Sequence, residues 1–147
     1  MRALLLLALL AAPALAAEVE EPRASADRLV AALVERGPAA FLDAIVEDTA
    51  IGADAFQRRE IAESRLRRVR ELESLGVIVD SEYAGARHFA PSLRTLCYIV
   101  RYRRQPLLMA FRYYQGGRGW DLVNYAYAPH AGLQNWECAA AAPLVAP

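Results

Sequence analysis

The chemistry this chain can offer is concentrated in its C-terminal half, in rings and a single amide set among apolar residues. Tyr98, Tyr113, Trp120 and Asn124 lie on runs that alternate like β-strands. On one sheet face they would line a mostly apolar cavity with a few hydrogen-bond donors, the usual design for a small apolar ligand. Asn124 is the informative member, because a buried amide left unpartnered costs about 1–3 kcal/mol. It either bonds backbone or a tyrosine hydroxyl, or marks the polar end of a pocket. His88 and His130 are the two imidazoles, too few for a His-rich zinc site, and each reads as a loop residue. There is no G-x-S-x-G elbow, no H-E-x-x-H, no C-x-x-C and no glycine-rich phosphate loop. No catalytic residue, metal ligand or cofactor is therefore assigned.

Cys97 and Cys138 are the two cysteines. A bridge would close a loop of roughly 40 residues, worth ~4 kcal/mol by chain entropy, and needs the tail to fold back over the sheet. Otherwise Cys97 is a buried strand residue and Cys138 an idle tail thiol. Arginines and rings from Tyr98 to Trp120 suggest base stacking and phosphate neutralisation. However, the 17 basic and 17 acidic residues cancel, and the rings alternate away from Arg101 and Arg112. Nucleic acid is not an expected partner.

The start of the chain bears on where it works. Met1-Arg2 is followed by an uncharged, leucine-rich run and then Pro13-Ala-Leu-Ala-Ala17, a helix breaker with small residues in an A-x-A arrangement. That is the form of a cleavable signal peptide over residues 1–16, with cleavage after Ala17 the alternative. Glu18, Glu20 and Glu21 end the apolar run short of the roughly 20 residues a spanning helix needs. The expectation is a secreted or periplasmic protein, the bacterial periplasm being favoured, with no membrane attachment after cleavage. All the basic residues are arginine, in keeping with a GC-rich coding bias. About 130 residues remain, which suits one domain.

The elements that must position these residues are legible in order. Glu18 to Arg23 reads as a lead-in, and Ser25 or Asp27 can cap a first helix carrying Leu29, Val30, Leu33 and Val34. Gly37-Pro38 stops it and opens a second helix with Phe41, Leu42, Ile45 and Val46. Thr49 to Ala53 reads as a break. Asp54 then caps the longest helix, which runs to about Leu75 with Ile61, Ala62, Leu66, Val69 and Leu72 on one side. Gly76 ends it.

Beyond Gly76 the period becomes alternating. Four strands are expected: Val77 to Arg87 with a bulge or bend at Gly85, Leu93 to Arg103, Leu107 to Tyr114, and Gly119 to Tyr127. Turning the middle hairpin at Arg104-Gln105 pairs Tyr102 with Leu107, Val100 with Met109, Tyr98 with Phe111 and Leu96 with Tyr113. All eight are apolar or aromatic, so this face is the expected core. A four-residue turn at Gln115 to Arg118 would add Trp120 opposite Tyr113, Leu122 opposite Phe111 and Asn124 opposite Met109. The reverse face carries Thr95, Cys97, Ile99, Arg101, Leu108, Ala110, Arg112 and Tyr114. It is half apolar, so the tail or a second subunit is expected to cover it. A homodimer through Ile99, Arg101, Leu108 and Arg112 is the partner expected.

Tyr98-Ile-Val-Arg-Tyr-Arg-Arg-Gln-Pro-Leu-Leu-Met-Ala-Phe-Arg-Tyr-Tyr114, resumed at Gly119-Trp-Asp-Leu-Val-Asn-Tyr-Ala-Tyr127, resembles uncharacterised secreted members of the nuclear transport factor 2-like superfamily. The resemblance covers Ser25 to about Trp136. Residues 137–147, rich in Ala and Pro, read as a flexible tail beyond it. The resemblance implies an α+β domain over 25–136, with N-terminal helices packed on a curved, four-stranded or slightly larger antiparallel sheet like a cone. It also implies a pocket at the wide end and dimerisation through the sheet. Relatives include isomerases and dehydratases, which need a carboxylate or His inside an apolar cavity where burial raises its pKa. The expected core face offers none: Asp121 points the other way, and Asp80 and Glu82 share an unassigned face of the first strand. The expectation is a non-catalytic binding domain that associates with itself, an envelope protein or a small apolar ligand. The alternative is an isomerase- or dehydratase-like enzyme or carrier.

Overall fold

The computed structural model describes residues 22–117, 119–129 and 138. The expected signal segment, His130 and the tail other than Cys138 lie outside these residues. Four helices come first: α1 (Pro22–Arg36), α2 (Pro38–Asp48), the single turn α3 (Ala50–Ala53) and α4 (Ala55–Ser74). Four strands follow, β1 (Ile78–Ala90), β2 (Leu93–Tyr102), β3 (Pro106–Tyr114) and β4 (Asp121–Pro129), in one antiparallel sheet of order β1-β2-β3-β4. This is the expected α+β arrangement.

Helix boundaries follow local chemistry. Asp54 caps α4 as expected, its Oδ1 accepting from the Gln57 amide at 2.7 Å. Thr49 to Ala53 is not a plain break. Thr49 Oγ1 accepts from the Ile51 amide at 3.2 Å and caps α3. Gly52 is obligatory there, because a Cβ would sit 1.6 Å from the Val46 carbonyl oxygen. Helix α1 starts at Pro22, where proline costs no hydrogen bond, so Arg23, Ser25 and Asp27 are helical rather than lead-in or cap. In α4, Ile61, Val69 and Leu72 are buried as expected, but Leu66 is 62% exposed. At 100° per residue Leu66 lies about 140° round the helix from Ile61.

The eight residues expected on the core face, Leu96 to Tyr102 and Leu107 to Tyr113 at alternate positions, are all in the core. They pack beneath Leu29, Leu33, Phe41, Leu42 and Ile45 of α1 and α2. Rings run through this core edge to face: Tyr83 to Tyr98, Tyr98 to Phe111, Phe111 to Phe41, and Phe41 to Tyr125, at centroid distances of 5.3, 5.8, 6.3 and 5.9 Å. The pairing differs from expectation by two residues. Tyr98 faces Met109 and Val100 faces Leu107, around a turn closed by Tyr102 and Gln105. Pro106 explains it. In the expected register its absent N–H would be needed to close the turn; here it sits opposite Arg101, one step beyond the Tyr102–Gln105 bond. A slip of two keeps every face.

The last hairpin differs in a way that does change faces. Tyr114 pairs with Asp121 and Tyr113 with Leu122, and an extra residue in β4 then sets Arg112 opposite Asn124 and Phe111 opposite Tyr125. Trp120 therefore precedes β4 instead of facing Tyr113. Asn124 is exposed and faces Arg112, not Met109, while Tyr125 and Tyr127 take the core side. Strand β1 has its own break at the residue expected: Gly85 has φ +131°, at a register shift between Tyr83 and Gly85. On the reverse face Thr95, Cys97, Leu108 and Ala110 are buried. Cys97 is bonded to Cys138 with the Cα atoms 5.9 Å apart, so Cys138 returns to β2, two strands in from where the chain leaves the sheet.

Candidate functional site

Tyr98 is the expected site residue with the most developed surroundings. Its ring is almost wholly buried under α1, and its hydroxyl donates to Asp27 Oδ1 at 2.7 Å. Asp27 also accepts from Arg23 Nε at 2.8 and 3.0 Å, one helical turn earlier. The Arg23 guanidinium lies 3.6 Å from the centroid of the Tyr83 ring on β1. Carboxylate, phenol, guanidinium and a second ring thus meet at one end of a cleft of about 300 Å³ between α1 and the β1–β2 edge. Val30, Ala31 and Val34 form its helical wall, and Glu35 and Asp80 also line it.

The charges have definite roles. Burial, reinforced by the bond to Asp27, pushes the Tyr98 phenol far above its ordinary pKa, so it keeps its proton and donates it to Asp27 in a hydrogen bond. Arg101 holds the Asp80 carboxyl below its usual range by a bidentate contact. The Arg23–Asp27 pair is half exposed, and such i,i+4 pairs contribute about 0.3–0.5 kcal/mol. Arg23 also occupies the first turn of α1, where the helix dipole disfavours a positive charge. Helix stability does not account for its presence.

The remaining expected residues are dispersed. Tyr113 is fully buried, with its hydroxyl donating to Ser25 Oγ at 3.0 Å. Trp120 is partly buried, its ring 4.4 Å from the Arg94 guanidinium. Asn124 lines a separate cavity of about 100 Å³ with Gln57, Glu60, Arg68 and Tyr125. Tyr98 and Asn124 thus belong to different hollows, one beside α1 and the other beside α3 and α4. Asp80 and Glu82 pair with Arg101 and Ile99 on the reverse face, and Glu82, His88 and Asp121 are all exposed. No group of three or more His, Cys, Asp or Glu fit to hold a metal occurs among the described residues. Nor is any helix among them long and apolar enough to cross a membrane.

The reverse face is less open than its composition suggests. Leu108 is 6% exposed and Ile99 half-buried, while Arg101 is engaged with Asp80. Sequence reasoning missed Arg23, Asp27 and Tyr83. The i,i+4 spacing of Arg23 and Asp27 was the available signal, hidden by reading the first as a lead-in and the second as a cap. No family model matches this chain, and neither a curated protein nor a solved structure does.

Proposed function

We propose that this chain is an exported, non-catalytic binding domain of the nuclear transport factor 2-like kind, and that it binds through the cleft between α1 and the β1–β2 edge. One observation carries the reading. A carboxylate, a permanently protonated phenol, a ring and an aliphatic wall converge on one cleft of about 300 Å³. Few fixed polar groups set among apolar walls are what a small-ligand site needs. A base is what an isomerase would need, and Tyr98 holds its proton while Asp27 is shared between Tyr98 and Arg23. The order of helices followed by a four-stranded meander supports the superfamily assignment. The Cys97–Cys138 bond supports an oxidising compartment.

Two measurements test this. The protein recovered from the envelope is expected to begin at Ala17 or Glu18, and an intact Met1 terminus would overturn the export reading. In a fragment screen by NMR, bound compounds are expected to move the ring signals of Tyr83 and Tyr98. Hits that cluster elsewhere, or a complete lack of hits, would refute the cleft. Self-association through Ile99, Arg101, Leu108 and Arg112 is a second reading with less to gain, since Leu108 is already covered within one copy. A dimer in sedimentation that Ile99→Asp dissolves would restore it.

A further inference from the structure

We infer that the α1–β1 cleft is a site for linear alkyl dications of the polyamine class, with Arg23 serving as the chain's own occupant of one pole. This rests on the cleft being the binding surface and names its ligand. Two carboxylates of α1, Asp27 and Glu35, line the cleft against one lining guanidinium, Arg23, while Asp80 at its rim is held on the reverse face. Asp80 is shared with Arg101, but Glu35 has no ion-pair partner among the described residues. The lining therefore carries surplus negative charge.

The spacing selects an elongated ligand. Asp27 and Glu35 are eight residues apart on one stripe of α1, about 12 Å along the axis. Between them the wall is Val30, Ala31 and Val34. One metal ion cannot bridge carboxylates at that distance, whereas two ammonium groups joined by methylenes can reach both while the spacer lies on the aliphatic wall. At the Asp27 pole the Tyr83 ring faces a cation already, the Arg23 guanidinium 3.6 Å from its centroid. Cation–π contact, a carboxylate and a phenol oxygen are the groups that recognise an ammonium. Arg23 shows that a cation fits there, and its half-exposed pairing, set against the helix dipole, leaves it displaceable.

Calorimetric titration of the purified protein with octane-1,8-diamine, against octylamine and magnesium chloride as controls, tests this. The diamine is expected to saturate at one equivalent, and the controls are not. Glu35→Gln, at the exposed end of the cleft, should weaken the diamine roughly tenfold, and Arg23→Ala should tighten it several-fold by vacating the Asp27 pole. Thermal melts confirm that each variant is folded. Equal binding of octylamine or magnesium, or indifference to Glu35→Gln, would overturn the proposal, as would no binding to wild type or to a folded Arg23→Ala protein. Should the diamine fail while another compound class moves the Tyr83 and Tyr98 signals, the dication is wrong and the cleft stands. If nothing moves them, both fall.

Discussion

Removing the Cys97–Cys138 bond is expected to cost this domain a large fraction of its stability. The bond joins residues 41 apart in sequence. For a loop of that size, the loss of denatured-state freedom is worth about 4 kcal/mol at 25 °C. Domains of this size commonly hold 5–15 kcal/mol in total, so a shift of this kind is not marginal. With an unfolding entropy near 2.1 cal/mol/K per residue over about 130 residues, 4 kcal/mol corresponds to roughly 15 °C in Tm. The perturbation is the double substitution Cys97→Ala/Cys138→Ala, which avoids burying a serine hydroxyl at a position 1% exposed. Differential scanning calorimetry of wild type, wild type with excess dithiol, and the double variant gives the comparison. Wild type should melt highest, and the other two should fall together about 15 °C lower. A double variant within 3 °C or so of oxidised wild type would refute the reasoning: the chain-entropy contribution would then be absent.

Other expectations concern single side chains. The Thr95 and Tyr102 hydroxyls are buried without a hydrogen-bond partner among the described residues, so Thr95→Val and Tyr102→Phe should each stabilise the protein by about 1 kcal/mol in urea titration; a loss of stability in both would show that the hydroxyls are satisfied. Gly52→Ala should cost about 3 kcal/mol or more, since its Cβ would collide with the Val46 carbonyl oxygen, and near-native unfolding would contradict the α2–α3 packing. Stability should decline through alkaline pH. Burial, with the neighbouring Tyr127 and Glu71 respectively, raises Tyr102 and Tyr127 from 10.0 to about 12. Their neutral forms favour the native state fully below pH 10, and that contribution is lost between pH 10 and 12 as the unfolded chain ionises first. Urea midpoints that stay flat from pH 9 to about 12 would refute this.

Which parts of this protein were legible in its sequence depended on whether short-range rules sufficed. Asp54 before α4, Gly37-Pro38 between helices and Gly85 at the β1 bulge declare themselves through local backbone chemistry. The core face of β2 and β3 declares itself through alternation, and it survived a two-residue error in pairing because side chains repeat every second position. Leu66 did not, because a helix stripe drifts with every turn and only the packed neighbours fix its centre.

The cleft belongs to tertiary structure. Asp27 reads locally as a cap, yet its partner is Tyr98, 71 residues away, and nothing near Asp27 encodes that. Asn124 lost its expected place because one extra residue in β4 reversed the faces beyond it, and a bulge of that kind leaves no mark when the inserted residue is an ordinary valine. Composition alone pointed to a covered reverse face. Only the fold could bring Cys138 back to Cys97, since closing a loop that long depends on where both ends of the chain are held.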